Sequence, residues 1–430
     1  MPSATRRLLA VTATILATLV AGTAAAFPTT AQPPAATSHG RTTLWTATWS
    51  ASPQRPSAGF APNWSEQGFA RQTVRQIVRI SAGGKAARVR LSNVYGTTPL
   101  TIARATIART SRGAAVEPGS LRHLTVHGKR TFTIPARAEL ASDPMSLRLA
   151  ALDSFTITLF VNQPTGPATY HAQALATTYR ATGDHTADTG GTAFTDTSQS
   201  WYYLSGVDVI SAAPRNGVVA FGDSLTDGAT SATDANNRYP DELAERLASA
   251  GRPRPVLNQG IAGNRVTVDS AWFGDSATSR FRRDVLGQPG VRTVLILEGV
   301  NDLGISELAA SPPAPIFAPY PDVSIDKLIS GHRELIRLAH THGLRVIGAT
   351  LPPTKGSAYN TARSEAKREA LNTWIRGSGE YDAVVDLDRV MASPSDSDRL
   401  NPAYDSGDHL HPNDAGYRAM AYAINPADLG

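Results

Sequence analysis

The chain contains no cysteine among its 430 residues. Disulfide bonds, a thiol nucleophile and thiolate metal sites are therefore excluded. A Gly-x-Ser-x-Gly sequence is also absent, which argues against the nucleophile turn of the α/β-hydrolases. The formal net charge is only +5 and no long basic run occurs, which argues against a nucleic-acid partner.

Long apolar runs are also scarce, and the one at the amino terminus has the features of a secretory signal. Arg6 and Arg7 precede an apolar stretch over residues 8–22, and small residues at 24–26 suit cleavage. A stretch of about 15 residues is shorter than the roughly 20 that span a bilayer. We expect a signal peptide over residues 1–26, a secreted protein without a membrane anchor, and a flexible lead-in over residues 27–42. The arginine pair leaves open whether export is Sec-dependent or twin-arginine.

Residues 43–207 alternate apolar and polar side chains with period two. Residues 73–80 and 87–91, with Gly83 and Gly84 between them, predict a hairpin with one buried and one solvated face. Further strands are predicted at residues 100–108, 124–134 and 154–161. Short strands separated by Pro and Gly, without a helical pattern, predict an all-β sandwich of jelly-roll type as an accessory domain.

The aromatic residues of this region have two interpretations. They could form a sugar-stacking surface, but aromatic side chains of sandwich domains more often pack in the core, and we favour the core. The residues in question are Trp45, Trp49, Trp64 and Tyr95.

After residue 215 the pattern changes to alternating strands and helices. Strands are predicted at residues 218–221, 255–257, 293–297, 345–349 and 383–387, and helices at 239–250, 324–342, 361–376 and from Asn413 onward. Such alternation predicts an α/β domain over residues 215–430, with a parallel sheet covered by helices on both faces.

A candidate nucleophile follows the first of these strands. Residues 218–221 form a buried apolar run, and Gly222-Asp223-Ser224 ends it at a sharp turn. A serine at the carboxyl end of such a strand has its hydroxyl in the crevice where these sheets bind ligands, and its N–H can serve as an oxyanion donor. The motif alone is also compatible with an ordinary strand-to-helix turn.

Three further polar clusters follow later strands. The glycine-rich segment 258–264 lets backbone N–H groups approach a ligand closely. Asn301, within Gly-Val-Asn-Asp at residues 299–302, can point its amide into the same crevice. Asp408 and His411 offer an acid and a base three residues apart, just before the last helix.

Taken together, these blocks resemble the GDSL, or SGNH, hydrolase family in the family's own order, over about residues 215–425. The resemblance implies a flavodoxin-like three-layer α/β/α fold and ester hydrolysis with neither a metal nor another cofactor. It also implies the roles of five residues: Ser224, His411 and Asp408 as the catalytic triad, and Ser224, Gly263 and Asn301 as the oxyanion hole.

Some residues imitate these features. The Gly-Asp-Ser at residues 274–276 repeats the first motif, but no buried strand precedes it. His409 has the wrong spacing from Asp408 for the family, and we expect it in the pocket or at the surface. Asp408, His409 and His411 could instead hold a metal, but no distant third ligand cluster accompanies them.

The expected function is that of a secreted serine esterase. Residues 234–241, 258–265 and 297–302 resemble a bacterial arylesterase or acylhydrolase subgroup, and the β-sandwich layout resembles that of secreted carbohydrate esterases. The leading hypothesis is hydrolysis of short acyl esters, with acetyl groups on plant polysaccharide as substrate. One alternative is a lipase, phospholipase or arylesterase on longer or aryl esters, for which residues 311–321 could border the acyl site. The other is an inactive polysaccharide-binding protein.

Overall fold

The computed structural model describes residues 45–211, 216–310 and 317–430. The signal peptide and lead-in predicted over residues 1–42 lie outside the described residues. Those described residues belong to one compact unit. We call residues 45–211 the β part and residues 216–430 the α/β part.

The strands of the β part follow the chain in this order: β1 (Trp45–Ser50), β2 (Gln72–Arg79), β3 (Gly84–Ser92), β4 (Leu100–Ile102), β5 (Arg104–Arg112), β6 (Ala115–Val116), β7 (Arg122–His123), β8 (Phe132–Ile134), β9 (Glu139–Ala141), β10 (Met145–Leu149), β11 (Ser154–Val161), β12 (Tyr170–His171), β13 (Thr178–Thr182), β14 (Asp196–Ser198), β15 (Trp201–Tyr202) and β16 (Leu204–Ile210).

Within the described residues, two antiparallel sheets dominate the β part. One has the order β1-β16-β3-β10 with β9 beside β3, and the other the order β14-β13-β2-β11-β5-β6 with β7 beside β5. Apolar residues from strands of both sheets are buried in one cluster, for example Val74, Val89, Ile107, Ile157 and Val207. Two antiparallel sheets sharing a core agree with the predicted β-sandwich.

The predicted hairpin between β2 and β3 is wrong. β2 pairs with β11 and β13 in one sheet, whereas β3 pairs with β16, β10 and β9 in the other. Arg75 lies on the face of β2 that the pattern predicted to be solvated, but it is buried and its guanidinium donates to backbone carbonyls. At Gly83 the chain turns from one sheet to the other, and an added Cβ there would lie 2.3 Å from the carbonyl oxygen of Leu149.

Two predicted strands also differ in extent. The stretch 100–108 divides between β4 and β5, and only β8 lies within the stretch 124–134. A turn interrupts that second stretch, where His127 and Gly128 both have positive φ. The strand predicted at 154–161 is present as β11 with the same limits.

The α/β part has the following elements: β17 (Gly217–Gly222), α1 (Ser224–Asp227), α2 (Tyr239–Ser249), β18 (Val256–Gly260), α3 (Ala277–Phe281), β19 (Val291–Leu297), α4 (Val300–Gly304), α5 (Ile325–Thr341), β20 (Arg345–Ala349), α6 (Ala362–Gly377), β21 (Ala383–Val385), α7 (Leu387–Met391), β22 (Ala392–Ser393), β23 (Asp396–Leu400) and α8 (Asp414–Ala423).

The described strands β17 to β21 form a parallel sheet with the order β18-β17-β19-β20-β21. This is the 2-1-3-4-5 order of the flavodoxin-like fold, as the sequence predicted. Apolar residues of β17 and β19 are almost completely buried, including Val219, Phe221 and Leu295. In such sheets the ligand crevice lies beyond the carboxyl ends of the strands, where the order reverses. Here the reversal falls between β17 and β19.

The β part is joined to the α/β part by direct hydrogen bonds. Ser81 Oγ accepts from the N–H of Val256 in β18, at 2.9 Å, and Gln259 donates to Ser50 Oγ at 2.8 Å. In the described part of the chain, no helix combines the length and the apolar character that crossing a membrane requires.

Candidate active site

Ser224 is the first residue of α1, directly after the central strand β17. Asp223 caps the short helix by accepting from the N–H of Leu225 at 3.0 Å. Gly222 leaves no room for a side chain, since a Cβ there would lie 2.1 Å from Thr226 Oγ1. This tight turn places the Ser224 hydroxyl at the carboxyl edge of the sheet, with 6% of the residue's surface exposed.

The structure brings Ser224, His411 and Asp408 together in the order that a triad needs. Ser224 Oγ lies 2.9 Å from His411 Nε2, and His411 Nδ1 lies 2.6 Å from Asp408 Oδ2. The serine is 187 residues away from the histidine along the chain. A serine is activated when a base lies within hydrogen-bond reach of its hydroxyl and a carboxylate orients that base.

The surroundings of the Asp408 carboxylate favour its ionised form. Burial would raise the pKa of Asp408, but hydrogen bonds from the His411 side chain and from the N–H groups of His411 and Leu410 outweigh it. The net effect holds the pKa of Asp408 well below its usual range. The aspartate is therefore the hydrogen-bond acceptor that fixes the ring of His411.

Gly263 and Asn301 line the same cleft as Ser224 and His411. Gly263 has φ +80° and its α-carbon faces the ring of Phe273, so an added Cβ would lie 2.4 Å from a ring carbon. Asn301, in α4 at the end of β19, donates to the carbonyl of Asn264 at 3.0 Å. Because that carbonyl can only accept, it fixes which end of the amide is the donor, and Asn301 Oδ1 then accepts from the Tyr359 hydroxyl at 3.0 Å.

Two carboxylates hold the loop that carries Gly263. Asp227 Oδ2 accepts from the N–H of Ala262 at 2.9 Å, and Asp302 Oδ2 accepts from the N–H of Val266 at 2.8 Å. Burial raises the pKa of Asp302 to about 6, against the opposing effect of the N–H groups of Val266 and Thr267. The aspartate of the Gly-x-Asn-Asp block, Asp302, thus supports the loop, while the asparagine lines the cleft.

A buried arginine, Arg280, links the loop that carries Gly263 to β17, the strand that precedes Ser224. Arg280 donates to the carbonyl of Gly222 at 2.9 Å, to Asn264 Oδ1 at 2.8 Å and to Glu298 Oε1 at 3.1 Å. Burial, and then the charge of Asp223, raise the pKa of Glu298 well above its usual value. Burial likewise raises the pKa of Asp223 to about 7.

The cleft above Ser224 has a volume of about 450 Å³. This falls within the range of about 300–1,000 Å³ that is usual for small-molecule sites. Apolar side chains make up much of its wall: Phe60, Phe273, Leu308, Phe317, Tyr359 and Leu410. Phe317 belongs to the segment 311–321 that the sequence suggested as a border of the acyl site, of which residues 311–316 lie outside the described residues.

The residues that resemble the site motifs in sequence, the second Gly-Asp-Ser and His409, bond to other partners. In the second Gly-Asp-Ser, the carboxylate of Asp275 accepts from the Tyr95 hydroxyl at 2.6 Å and pairs with Arg55. His409 is half-exposed and bonds to Asp405, at 2.5 Å, so it does not converge with Asp408 and His411.

Among the described residues, one cluster of three carboxylates has oxygen atoms close enough to one another to bind a metal ion. It consists of Glu365, Glu369 and Asp398. Two of these three, Glu365 and Glu369, already accept from Arg368.

The aromatic residues of the β part divide between core and surface. Trp49 and Trp64 are buried in the core, as favoured, and Trp45 is partly exposed under the guanidinium of Arg88. Tyr95 is also partly exposed, but the guanidinium groups of Arg55 and Arg283 lie over its ring.

Sequence reasoning missed several residues that line the cleft, among them Phe273, Tyr359, Phe60 and Gln173. Tyr359 precedes α6 in a loop without a recognisable motif. Phe60 and Gln173 belong to the β part, and nothing in their local sequence indicates a place near Ser224. The one available signal was the run of turn-forming residues around Phe60, which marks an exposed loop.

Comparison with known proteins finds one matching family. Residues 220–419 match the model of the GDSL-like lipase/acylhydrolase family. No curated protein matches the chain.

Several solved structures are similar to about half of the chain. A putative acylhydrolase from Bacteroides fragilis is 24% identical, covers 50% of this chain and 86% of its own, and has a TM-score of 0.37. A GDSL-like lipase from Bacteroides thetaiotaomicron is 21% identical, with coverages of 50% and 88% and a TM-score of 0.36. An acetylxylan esterase from Geobacillus stearothermophilus, in a catalytic mutant form, is 19% identical, with coverages of 50% and 94% and a TM-score of 0.36.

A flavodoxin-like sheet with Ser224 at its carboxyl edge, matched by this family model, defines the class of the protein as an ester hydrolase. Residues 220–419 form a domain that matches the GDSL-like lipase/acylhydrolase family, and a β-sandwich precedes this domain in the chain.

Proposed function

We propose that the protein is a secreted serine esterase in which Ser224 attacks the ester carbonyl, His411 is the general base and Asp408 orients His411. The observation that carries this proposal is the pair of distances from Ser224 Oγ to His411 Nε2, 2.9 Å, and from His411 Nδ1 to Asp408 Oδ2, 2.6 Å. All three residues line the cleft.

The reaction has two half-reactions. In the first, His411 Nε2 takes the proton of Ser224 as Oγ bonds to the acyl carbon, and the same proton then goes to the leaving alcohol. In the second, His411 takes a proton from water, the hydroxide attacks the acyl-serine, and Ser224 regains its proton as the carboxylic acid leaves. The Asp408 carboxylate stabilises the imidazolium formed in each half-reaction.

The negative charge on the carbonyl oxygen needs fixed donors. We assign this role to the backbone N–H groups of Ser224 and Gly263 and to Asn301 Nδ2, which line the cleft together. Removing one such donor typically lowers kcat by about 10²–10³. The hydrogen bonds of the Asn301 amide support this assignment, because the Asn264 carbonyl requires the NH₂ group as donor and Tyr359 then holds Oδ1.

The substrate proposed is a small ester with an apolar part. Phe273, Phe317 and Leu410 give the cleft apolar walls, and its 450 Å³ exceeds what an acetyl group alone would fill. These walls favour short to medium acyl or aryl esters. Acetylated plant polysaccharide stays a prediction that acetate release will test. Secretion likewise stays a prediction, which rests on the pattern of residues 1–26.

The test measures hydrolysis of p-nitrophenyl acetate and acetate release from acetylated xylan by the chain without residues 1–26. Ser224→Ala should lose activity on both substrates. Ser276→Ala is the matched control, because Ser276 is a buried serine in the other Gly-Asp-Ser and bonds to Ser279. Full activity of Ser224→Ala would refute the mechanism, and binding of xylan without Ser224-dependent turnover would identify a binding protein instead.

A further inference from the structure

The β part reaches into the catalytic cleft through an exposed phenylalanine. Phe60 is 50% exposed and lines the same cleft as Ser224, although it lies in the β part. Among the described residues, the other large apolar side chains with comparable exposure are Val384, Val390 and Tyr422, and none of them lines this cleft. An exposed apolar side chain at a cleft is a candidate binding surface.

Phe60 belongs to a row of aromatic rings (the wall) that begins beside Gly263, in the loop of the proposed oxyanion hole (the oxyanion loop). Its ring stacks on Phe273 with a centroid distance of 5.6 Å and an interplanar angle of 13°. The Phe273 ring also contacts the Phe317 ring, at a centroid distance of 5.5 Å, and fills the space next to Gly263. The three rings therefore form a continuous apolar surface from the proposed oxyanion donor to the β part.

The loop that carries Phe60 is held by its own hydrogen bonds. Asn63 Nδ2 donates to the carbonyls of Ser57, Ala58 and Ala61, at 3.2, 2.7 and 3.2 Å. Ser65 Oγ donates to the carbonyl of Ser57 at 2.9 Å. These bonds make Phe60 a positioned contact, for which little side-chain entropy is lost when a ligand binds.

The other side of the wall is also tied to the β part. Gln54 Nε2 donates to the carbonyl of Trp272 at 3.1 Å, next to Phe273, and the Asn264 amide donates to the carbonyl of Phe273 at 2.6 Å. Phe273 is thus held between the β part and the oxyanion loop, and its position depends on both.

We infer that Phe60 is a specificity-determining residue, and that the β part forms one wall of the substrate site for esters that carry an extended or planar apolar group. This inference rests on the proposed ester hydrolysis at Ser224 and names the substrate class of that site. The apolar group can belong to the acyl side or to the alcohol side of the ester, because both sides leave the carbonyl within reach of the wall.

The experiment compares Phe60→Ala with the wild-type protein on two substrate pairs. p-Nitrophenyl octanoate and p-nitrophenyl acetate differ only in the acyl group, and benzyl acetate and ethyl acetate differ only in the alcohol. In one of the two pairs, kcat/KM of the more apolar ester should fall about 10-fold through KM, while that of its partner changes less than about 2-fold. The pair that responds identifies the side of the ester that the wall binds.

Tyr422→Ala is the matched control, since Tyr422 is an exposed aromatic residue in α8 that does not line the cleft. Phe60→Leu keeps an apolar side chain and should show a smaller loss in the same pair, which covers the case in which Phe60→Ala folds poorly. The inference would be overturned if, in both pairs, the ratio of kcat/KM between the two esters were the same for both Phe60 variants as for the wild type. A fully active Ser224→Ala would overturn the proposed function instead, so the two failures are distinguishable.

Discussion

His171 of the β part donates a hydrogen bond to Asp227 of the nucleophile helix. His171 Nε2 lies 3.0 Å from Asp227 Oδ1, and His171 Nδ1 lies 3.0 Å from the carbonyl oxygen of Ser52. Both ring nitrogens face oxygen atoms that only accept, so both must donate and the ring is an imidazolium. Asp227 uses its other oxygen for the N–H of Ala262, next to Gly263. The β part therefore supports the proposed oxyanion loop through one buried ion pair.

His171→Ala should lower the free energy of unfolding by about 3 kcal/mol or more. Removing one partner of a buried pair leaves the other charge uncompensated, which typically costs about 3–5 kcal/mol. We also expect a lower kcat, because Asp227 would no longer be fixed where it holds Ala262. Denaturant titration measures the first effect, and hydrolysis of p-nitrophenyl acetate the second.

His185→Ala is the control for this variant. His185 pairs with Asp188 at 2.8 Å, but this pair is largely exposed. Exposed pairs contribute about 0–1 kcal/mol, so this substitution should change stability little and kcat not at all. Equal losses in the two variants would show that the buried pair has no special structural role.

The contribution of His171 to the free energy of unfolding should decrease as pH rises. Burial would lower the pKa of His171, but the charge of Asp227 and its hydrogen bond outweigh burial and raise the pKa above 6.5, the value of an unperturbed histidine. Because the folded state holds the proton more tightly, the stabilisation is complete below the unfolded pKa and is lost as pH rises through the folded pKa. The difference in unfolding free energy between the wild type and His171→Ala should therefore shrink at high pH. A difference that grows with pH would contradict the imidazolium assignment.

Asn301→Ala and Tyr359→Phe test the proposed oxyanion donor at two levels. Asn301→Ala removes the donor itself, and kcat should fall about 10²–10³-fold. Tyr359→Phe removes only the hydroxyl that donates to Asn301 Oδ1 at 3.0 Å, so a loss of about 10-fold in kcat with little change in KM is expected. A change confined to KM in Tyr359→Phe would mean that the tyrosine contacts substrate and does not orient the asparagine.

The sequence predicted the α/β part better than the β part, for a physical reason. Ser224 and Asn301 follow parallel strands, and the carboxyl ends of such strands meet at one edge of the sheet. Their proximity could therefore be expected from strand order alone. In the β part, Arg75 and Gln76 are polar yet buried, because they bond to backbone groups, and this hid the fact that β2 and β3 belong to different sheets.

The contacts between the two parts could not be predicted from the sequence. His171 and Asp227 are 56 residues apart, and Phe60 and Phe273 are more than 200 residues apart. No periodicity connects such pairs, because they depend on how two separately formed layers pack. The contact of Tyr359 with Asn301 lies within the α/β part, but it could not be predicted either, because it joins a loop to a helix 58 residues away.

Gln173 should act on the polar part of the substrate. It lines the cleft from the β part, and its Oε1 is buried without a hydrogen-bond partner among the described residues. An unpaired buried acceptor usually costs about 1–3 kcal/mol, so Gln173→Leu should leave the free energy of unfolding unchanged or raise it. A substrate hydroxyl can donate to this oxygen once the Gln173 amide turns it into the cleft. The same variant should therefore lose about 10-fold in kcat/KM for glycerol monoacetate or acetylated xylo-oligosaccharides, and little for ethyl acetate. Equal losses on hydroxylated and simple esters would mean that Gln173 shapes the cleft without binding the alcohol.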